Sequence, residues 1–471
     1  MEALTISGNY TDFYELTMGQ AYFMSGNKDT QACFDYFFRK MPFGGGYVVF
    51  AGLRDVLDIL TDFRFTDEDI RFLEDQGLSK DFLGYLGNFR FRGAIYASRE
   101  GDIIFPTRPV IRVEGNIIET QIVETLILNI LNYESLVATK ASRMRQVAGG
   151  SILSEFGLRR AQGFGGIQAS RAAIIGGFNS TSNVKGALLN GIKASGTMAH
   201  SYIQSHDDEL TAFRNYANAH PDNSILLVDT YDTLGSGIPN AIKVARELED
   251  KGRKLVAIRL DSGDLAYLAK KSRKMLDEAG LYDVKIVASN QLDEYLIKSL
   301  KEQKAPIDIF GVGTSLVTGD PDAALDGVYK LSLSGGEPRL KISENVSKIT
   351  LPGRKQVSRL ITAEDTFYGG DVVTLDENDD PDVMHHPFDP LKSLHISHLK
   401  KEPLLTKVME KGKKISEDET PSEIYNYSKQ RLTLLPDEFK RFDNPHVYKI
   451  GISENLKQLK STLMEKYRSK E

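Results

Sequence analysis

Cysteine is almost missing from this chain of 471 residues, where Cys33 stands alone. One thiol excludes an intrachain disulfide framework and any zinc site built from cysteines, so no structural metal is expected, and it suits a reducing compartment. A surplus of positive charge is missing too. Lys and Arg number 59 against 65 Asp and Glu, a formal net charge of −6, which leaves nothing to neutralise a nucleic-acid backbone. A local basic pocket for a small phosphorylated ligand stays open. No apolar run approaches the roughly 20 residues of a membrane span. The longest candidate, VETLILNILNYESLVATKASRMR, is broken by polar residues at helical spacing. The opening MEALTISGNYTDFYE lacks the basic-then-apolar order of a secretory signal. The expectation is a cytosolic (cytoplasmic) globular protein, too long for one compact domain.

What the sequence does have is repetition between residues 150 and 315. Short β-rich runs recur: SILSEF (151–156), GFNSTSN (177–183), GIKASGT (191–197), ILLVDT (225–230), LVAIRLD (255–261), VKIVASN (284–290) and DIFGVGT (308–314). Helical segments such as IPNAIKVARELEDKG and LAYLAKKSRKMLDEAG lie between them. Strands alternating with helices read as parallel βαβ units, arranged as an open doubly wound sheet or a closed barrel. Nearly every run ends in polar residues: Glu155 and Arg159, Ser180 to Asn183, Thr197 and His200, Asp229 and Asp232, Arg259 and Asp261, Ser289 and Asn290, Thr314. An open sheet concentrates its ligand at one switch point, whereas a barrel brings all its carboxyl ends to one mouth. The reading is therefore an α/β fold with an irregular (β/α) barrel over residues 131–345. Any one of those polar residues can instead be the N-cap of the next helix. Residues 1–130, with the strand-like runs CFDYFFRKM, GYVVFAGL, FRGAIYAS and PVIRVEG, read as an α/β flanking domain on an antiparallel sheet. Residues 346–471 read as a C-terminal extension with strands, an acidic turn at Asp376 to Asp380 and a final charged helix.

The strongest local motif is AIRLDSGDL (257–265). Its plain reading is a helix cap with acidic first-turn residues. Alternatively, Asp261 and Asp264 around Ser262 and Gly263 hold sugar hydroxyls or a hard cation such as Mg²⁺. Arg259 then points a planar donor fork at a carboxylate or phosphate. In GVGTSLVTGD (311–320), Gly313, Thr314 and Ser315 can cradle a phosphate, and Asn290 of VASNQLDE can serve a second phosphate or sugar edge. Phe156 offers a face for a flat ring, with Arg159 beside it for a phosphate or ring substituent. His200 is either a packing histidine or a chemical one, its Nδ1 oriented by Asp229 from the next strand end.

Taken in order, TDFYELTMGQAYF (11–23), FRKMPFGGGYVVFAGL (38–53), EFGLRRAQ (155–162), STSN (180–183), GTMAHS (196–201), LVDTYDT (227–233), IRLDSGDL (258–265) and FGVGTSLVTG (310–319) resemble the bacterial nicotinate phosphoribosyltransferases. The likeness covers essentially the whole length. It implies an irregular α/β barrel, an N-terminal flanking domain, and a C-terminal extension returning to that domain. It also implies a homodimer with active sites at the subunit interface. The implied reaction joins nicotinate to 5-phosphoribosyl 1-pyrophosphate, giving nicotinate mononucleotide and pyrophosphate, with ATP hydrolysed and Mg²⁺ screening the pyrophosphate. In NAD salvage, His200 would be transiently phosphorylated, with Asp229 and Asp261 as its catalytic companions. Arg259 and Thr197 would contact nicotinate, and the partner subunit's Tyr14 would pack on the pyridine ring opposite Phe156. Arg159, Ser182, Asn183, Ser262, Gly263, Asn290, Gly313, Thr314 and Ser315 would hold the phosphoribosyl group. A nicotinamide-specific transferase and a non-catalytic nucleotide-binding barrel are the alternatives, and TDFYELTM and GTMAHS favour the acid.

Overall fold

The computed structural model describes residues 6–345, 348–375 and 378–468. It comprises two compact units. The first draws on residues up to Leu136, on Ala324–Glu419 and on residues from Asn426 onward; the second holds Val137–Ala323 and Thr420–Tyr425.

In the first unit a seven-stranded antiparallel sheet runs in the order Glu337–Pro338, Gly327–Ser334, Gln31–Phe38, Ile111–Asn116, Ala94–Ala97, Thr406–Glu410, Lys413–Lys414. The aromatic-rich run QACFDYFF forms its central strand and is buried on both faces, with Tyr36 and Phe38 among Phe82, Leu86, Ile118, Ile95 and Val113. Gly327–Ser334 pairs along that strand, so the chain re-enters this unit near residue 324, ahead of the return expected at 346. A second, mixed sheet is built on Gln356–Ile361 and Phe367–Thr374, with Lys449–Ile452 parallel to the latter. Of the acidic turn expected at Asp376 to Asp380, residues 376 and 377 lie outside the described residues.

Distant segments of this unit meet in a buried charge network. Arg359 binds Asp102 at 2.9 Å and Asp371 at 3.1 Å; Arg108 lies 2.7 Å from Asp371, and Arg431 lies 2.8 Å from both Asp102 and Glu402. Charges taken out of water persist only when each finds a partner, which ties residues 102, 108, 359, 371 and 431 to one geometry.

The second unit is built on six parallel strands: β1 (Ile152–Glu155), β2 (Ser180–Thr181), β3 (Ile225–Leu227), β4 (Ala257–Leu260), β5 (Lys285–Ser289) and β6 (Ile309–Val312). Their order is β2-β1-β6-β5-β4-β3. Each lies within an expected β-rich run, and helices such as Ile238–Glu249, Leu265–Glu278 and Glu294–Glu302 connect them. The seventh run, GIKASGT, is not a strand: it touches β2 through a single parallel bridge, Thr181 to Ala194. Apart from Ile192 and Lys193 its residues are small, and most are exposed, so few apolar side chains hold the segment against a sheet. Among the described residues no ladder joins this segment to β3. The sheet is therefore a curved parallel array, and a closed ring of seven strands is not formed by its hydrogen bonds.

Candidate functional site

Six parallel strands end on one edge, and the polar residues after them gather there. Along a strand, residues two apart share a face. Arg259 and Asp261 therefore point the same way from β4, and the register pairing Val287 with Arg259 brings Ser289 of β5 to their side. The Arg259 guanidinium is held by the Ser289 hydroxyl at Nε (2.9 Å), Thr197 Oγ1 and the Met198 carbonyl at Nη1 (2.9 and 3.3 Å), and Asp261 at Nη2 (2.7 Å). Ser289 also donates to Asp261. Burial alone would raise the Asp261 carboxyl, but the bonds from Ser289 and Arg259 outweigh it and hold it below the usual carboxylate range.

The Phe156 ring lies with its centroid 5.8 Å from the Arg259 guanidinium carbon. It packs where a side chain at Gly311 would be, since a Cβ there would enter the ring. A cavity of about 700 Å³ opens over Phe156, Ser182, Thr197, His200, Arg259 and Asp261. A second, of about 370 Å³, is lined by Arg160, Asn290, Gln291, Gly313 and Thr314 and shares Phe156, Arg159, Arg259 and Asp261 with the first. Asn290 and Gln291 both carry positive φ, 83° and 47°, a costly conformation for residues other than glycine that clusters at functional sites.

The structure brings most of the candidates to these cavities but reassigns several contacts. His200 opens the short helix His200–Gln204 and is not on a strand end. Its Nδ1 meets the Thr230 hydroxyl at 3.1 Å and its Nε2 is 3.8 Å from Asp261. Asp229 is thus not its orienting carboxylate. One Asp229 oxygen instead accepts from the Asp261 backbone N–H (2.6 Å) and the Ser262 hydroxyl (2.8 Å), bracing a turn that Gly263 completes at φ 74°. The other oxygen, Oδ1, is buried with no hydrogen-bond partner among the described residues. Asn183 is consumed as a helix cap, accepting from Gly186 and donating to the Gly166 carbonyl. The Ser315 hydroxyl donates to the Leu292 carbonyl, and Asp264 caps Leu265–Glu278. Tyr14 belongs to the first unit, about half exposed on Phe13–Met24; burial, then the charge of Glu124, pushes its phenol well above the usual range. Sequence reasoning passed over Thr230, Arg160 and Gln291. Each follows a β-rich run or an assigned residue directly, so strand-end position was the available signal.

Parallel strands whose carboxyl ends hold an arginine, hydroxyls, carboxylates and a ring above a shared cavity define an α/β protein with a single polar mouth. The comparisons sharpen that class. Residues 10–132, 152–348 and 354–460 match, in turn, the N-terminal domain, the family region and the C-terminal domain of nicotinate phosphoribosyltransferase. Nicotinate phosphoribosyltransferase of Bacillus subtilis is 43% identical over 456 residues, 95% of this chain and 93% of its own length. That of Dictyostelium discoideum is 37% identical, covering 95% and 86%. The crystal structure of human nicotinic acid phosphoribosyltransferase superimposes with a TM-score of 0.87 at 31% identity, covering 96% of this chain and 99% of that one. The chain belongs to the nicotinate phosphoribosyltransferase family.

Proposed function

We propose that this protein transfers the phosphoribosyl group of 5-phosphoribosyl 1-pyrophosphate to nicotinate in NAD salvage, with ATP hydrolysed through a phosphohistidine at His200. The observation that carries the reading is the Arg259 fork fixed beside Phe156 and Thr197 in the cavity at the strand ends. The pyridine ring lies on Phe156 with its carboxylate toward Arg259 and Thr197. Its nitrogen attacks C1 of the ribosyl group as the bond to the pyrophosphate oxygen breaks, leaving a pyridinium nucleotide. No protein nucleophile is needed at the sugar, so the residues act by positioning and electrostatics. Arg159, Asn290, Gly313 and Thr314 line the adjoining cavity as the phosphoribosyl subsite.

In the coupled step the γ-phosphoryl group passes from ATP to a His200 ring nitrogen and ADP leaves; water later releases phosphate. Phosphorylation adds charge and acceptor oxygens at the mouth, which tightens substrate binding and displaces the equilibrium toward product. The donor set suits Mg²⁺: Asp229 has a buried, unpartnered oxygen beside Asp261. Among the described residues no cluster of three or more His, Cys, Asp or Glu could hold a metal alone, which fits an ion that keeps waters and substrate phosphates as ligands. When bound, Mg²⁺ neutralises charge on the leaving pyrophosphate.

Segment 191–197 completes the mouth of an irregular barrel in this reading, a view supported by backbone bonds between Thr181 and both Lys193 and Ser195. A homodimer that shares Tyr14 across its interface is supported by Phe13 and Tyr14 and by Val184, Leu188 and Leu189, each about half to three-quarters exposed. The test is product formation from nicotinate and from nicotinamide with ADP release measured alongside. Nicotinate mononucleotide formed with ADP is expected, and His200→Ala should abolish the ATP-dependent part. Turnover of nicotinamide alone would overturn the reading.

A further inference from the structure

We infer that Ser289 is a positioning residue for substrate selection: its hydroxyl closes a ring of hydrogen bonds that fixes the plane of the Arg259 guanidinium. The ring has three members. Arg259 Nε donates to Ser289 Oγ at 2.9 Å, Ser289 Oγ donates to Asp261 Oδ1, and Arg259 Nη2 donates to that same oxygen at 2.7 Å. The direction of each bond follows from chemistry. A guanidinium only donates and a carboxylate only accepts, so the serine hydroxyl must accept from one and donate to the other.

The geometry explains why a serine is needed there. Without Ser289 the guanidinium would be held at its two Nη atoms only, with the Nε edge free to tilt. The acceptor at Nε pins that edge, while Thr197 and Met198 hold Nη1. Four of the five N–H groups are thereby committed, which leaves one Nη2 hydrogen for a ligand. A flat acid lying on Phe156 meets a donor aimed in one direction, whereas a free arginine would first have to be ordered. Ser289 is 2% exposed, so its hydroxyl is committed to Arg259 and Asp261 rather than to bulk water.

This assignment rests on the proposed nicotinate reading. The closing experiment is Ser289→Ala, with KM measured separately for nicotinate and for 5-phosphoribosyl 1-pyrophosphate, together with the thermal midpoint. Removing one oxygen leaves the side-chain volume nearly unchanged. A rise of about tenfold in KM for nicotinate is expected, equivalent to about 1.4 kcal/mol. KM for the phosphoribosyl donor should stay within about twofold and the thermal midpoint within about 2 °C, since the change is confined to the bonds Ser289 makes to Arg259 and Asp261. Equal rises in both KM values, a loss confined to kcat, a larger drop in the midpoint, or no change would each overturn the assignment. Absence of nicotinate turnover in the unmodified protein would overturn the functional reading, and this assignment with it.

Discussion

Asp371→Asn tests whether the buried charge network of the first unit holds as a unit. Asp371 receives Arg359 at 3.1 Å, Arg108 at 2.7 Å and the Tyr448 hydroxyl at 2.7 Å. Asp371, Arg108 and Arg359 are all fully buried. An amide keeps the shape but removes the charge and turns one acceptor into a donor facing guanidinium groups. Arg108 is then left without a charged partner, and Arg359 shares Asp102 with Arg431. Removing one partner of a buried pair costs about 3–5 kcal/mol because the remaining charge is stranded. That is a large share of a domain stability of about 5–15 kcal/mol, and it corresponds to a midpoint lower by about 10 °C. The chain has 20 tyrosines and no tryptophan, so calorimetry and circular dichroism are the suitable probes. A loss below about 1 kcal/mol would refute the reasoning, because it would mean that the arginines do not depend on this carboxylate.

Glu15 gives a pH prediction. Burial, against donation from Thr11 and Thr125, pushes its carboxyl up to about 7. A raised value means the folded chain prefers the protonated form, so its stabilisation is full below the ordinary glutamate range and is lost as pH rises through 7. The stability of the native protein relative to Glu15→Gln should therefore fall by about 3 kcal/mol between pH 4 and 8; a pH-independent difference in urea unfolding would contradict this. Gly311→Ala places a Cβ in the Phe156 ring. Displacing that ring should raise KM for nicotinate about tenfold, at an overpacking cost of about 1–3 kcal/mol. A KM equal to that of the native chain would show that the ring does not support the substrate.

The strands of the second unit were legible because β-rich runs alternate with helical segments, and β1 to β6 all lie inside runs visible in the sequence. The grouping of the candidate residues was legible by position, since polar residues after parallel strands share one edge. Its pairings were not. Asp229 meets the Asp261–Ser262 turn because β3 and β4 are neighbours, with Leu227 in register with Arg259. His200, at the start of the short helix His200–Gln204, reaches Thr230 instead. Asn183 and Asp264 show why carboxylates and amides after strands are ambiguous: the same oxygen that suits a ligand also satisfies a helix's free N–H groups. The return of the chain near residue 324 was hidden for a different reason. It depends on pairing Gly327–Ser334 with Gln31–Phe38, nearly 300 positions away, and no local pattern encodes that partner.

The Arg259–Asp261 pair also decides how charge is distributed in the resting site. An unpaired, partly buried cation would be disfavoured, and Asp261 at 2.7 Å offsets that penalty before substrate arrives. The consequence is a pocket that is nearly neutral around the guanidinium and more negative toward His200, whose Nε2 lies 3.8 Å from the other Asp261 oxygen. Asp261→Asn should therefore separate binding from turnover. With the competing negative charge gone, Arg259 attracts a carboxylate more strongly, so KM for nicotinate should not rise. His200 loses its anionic neighbour and the mouth loses a carboxylate beside Asp229, so kcat should fall by at least about tenfold. Steady-state kinetics with nicotinate at saturating phosphoribosyl donor and ATP separates the two parameters. A KM that rises with kcat unchanged would mean that Asp261 serves only to bind, and that its partnership with Arg259 is not what sets the charge of the pocket.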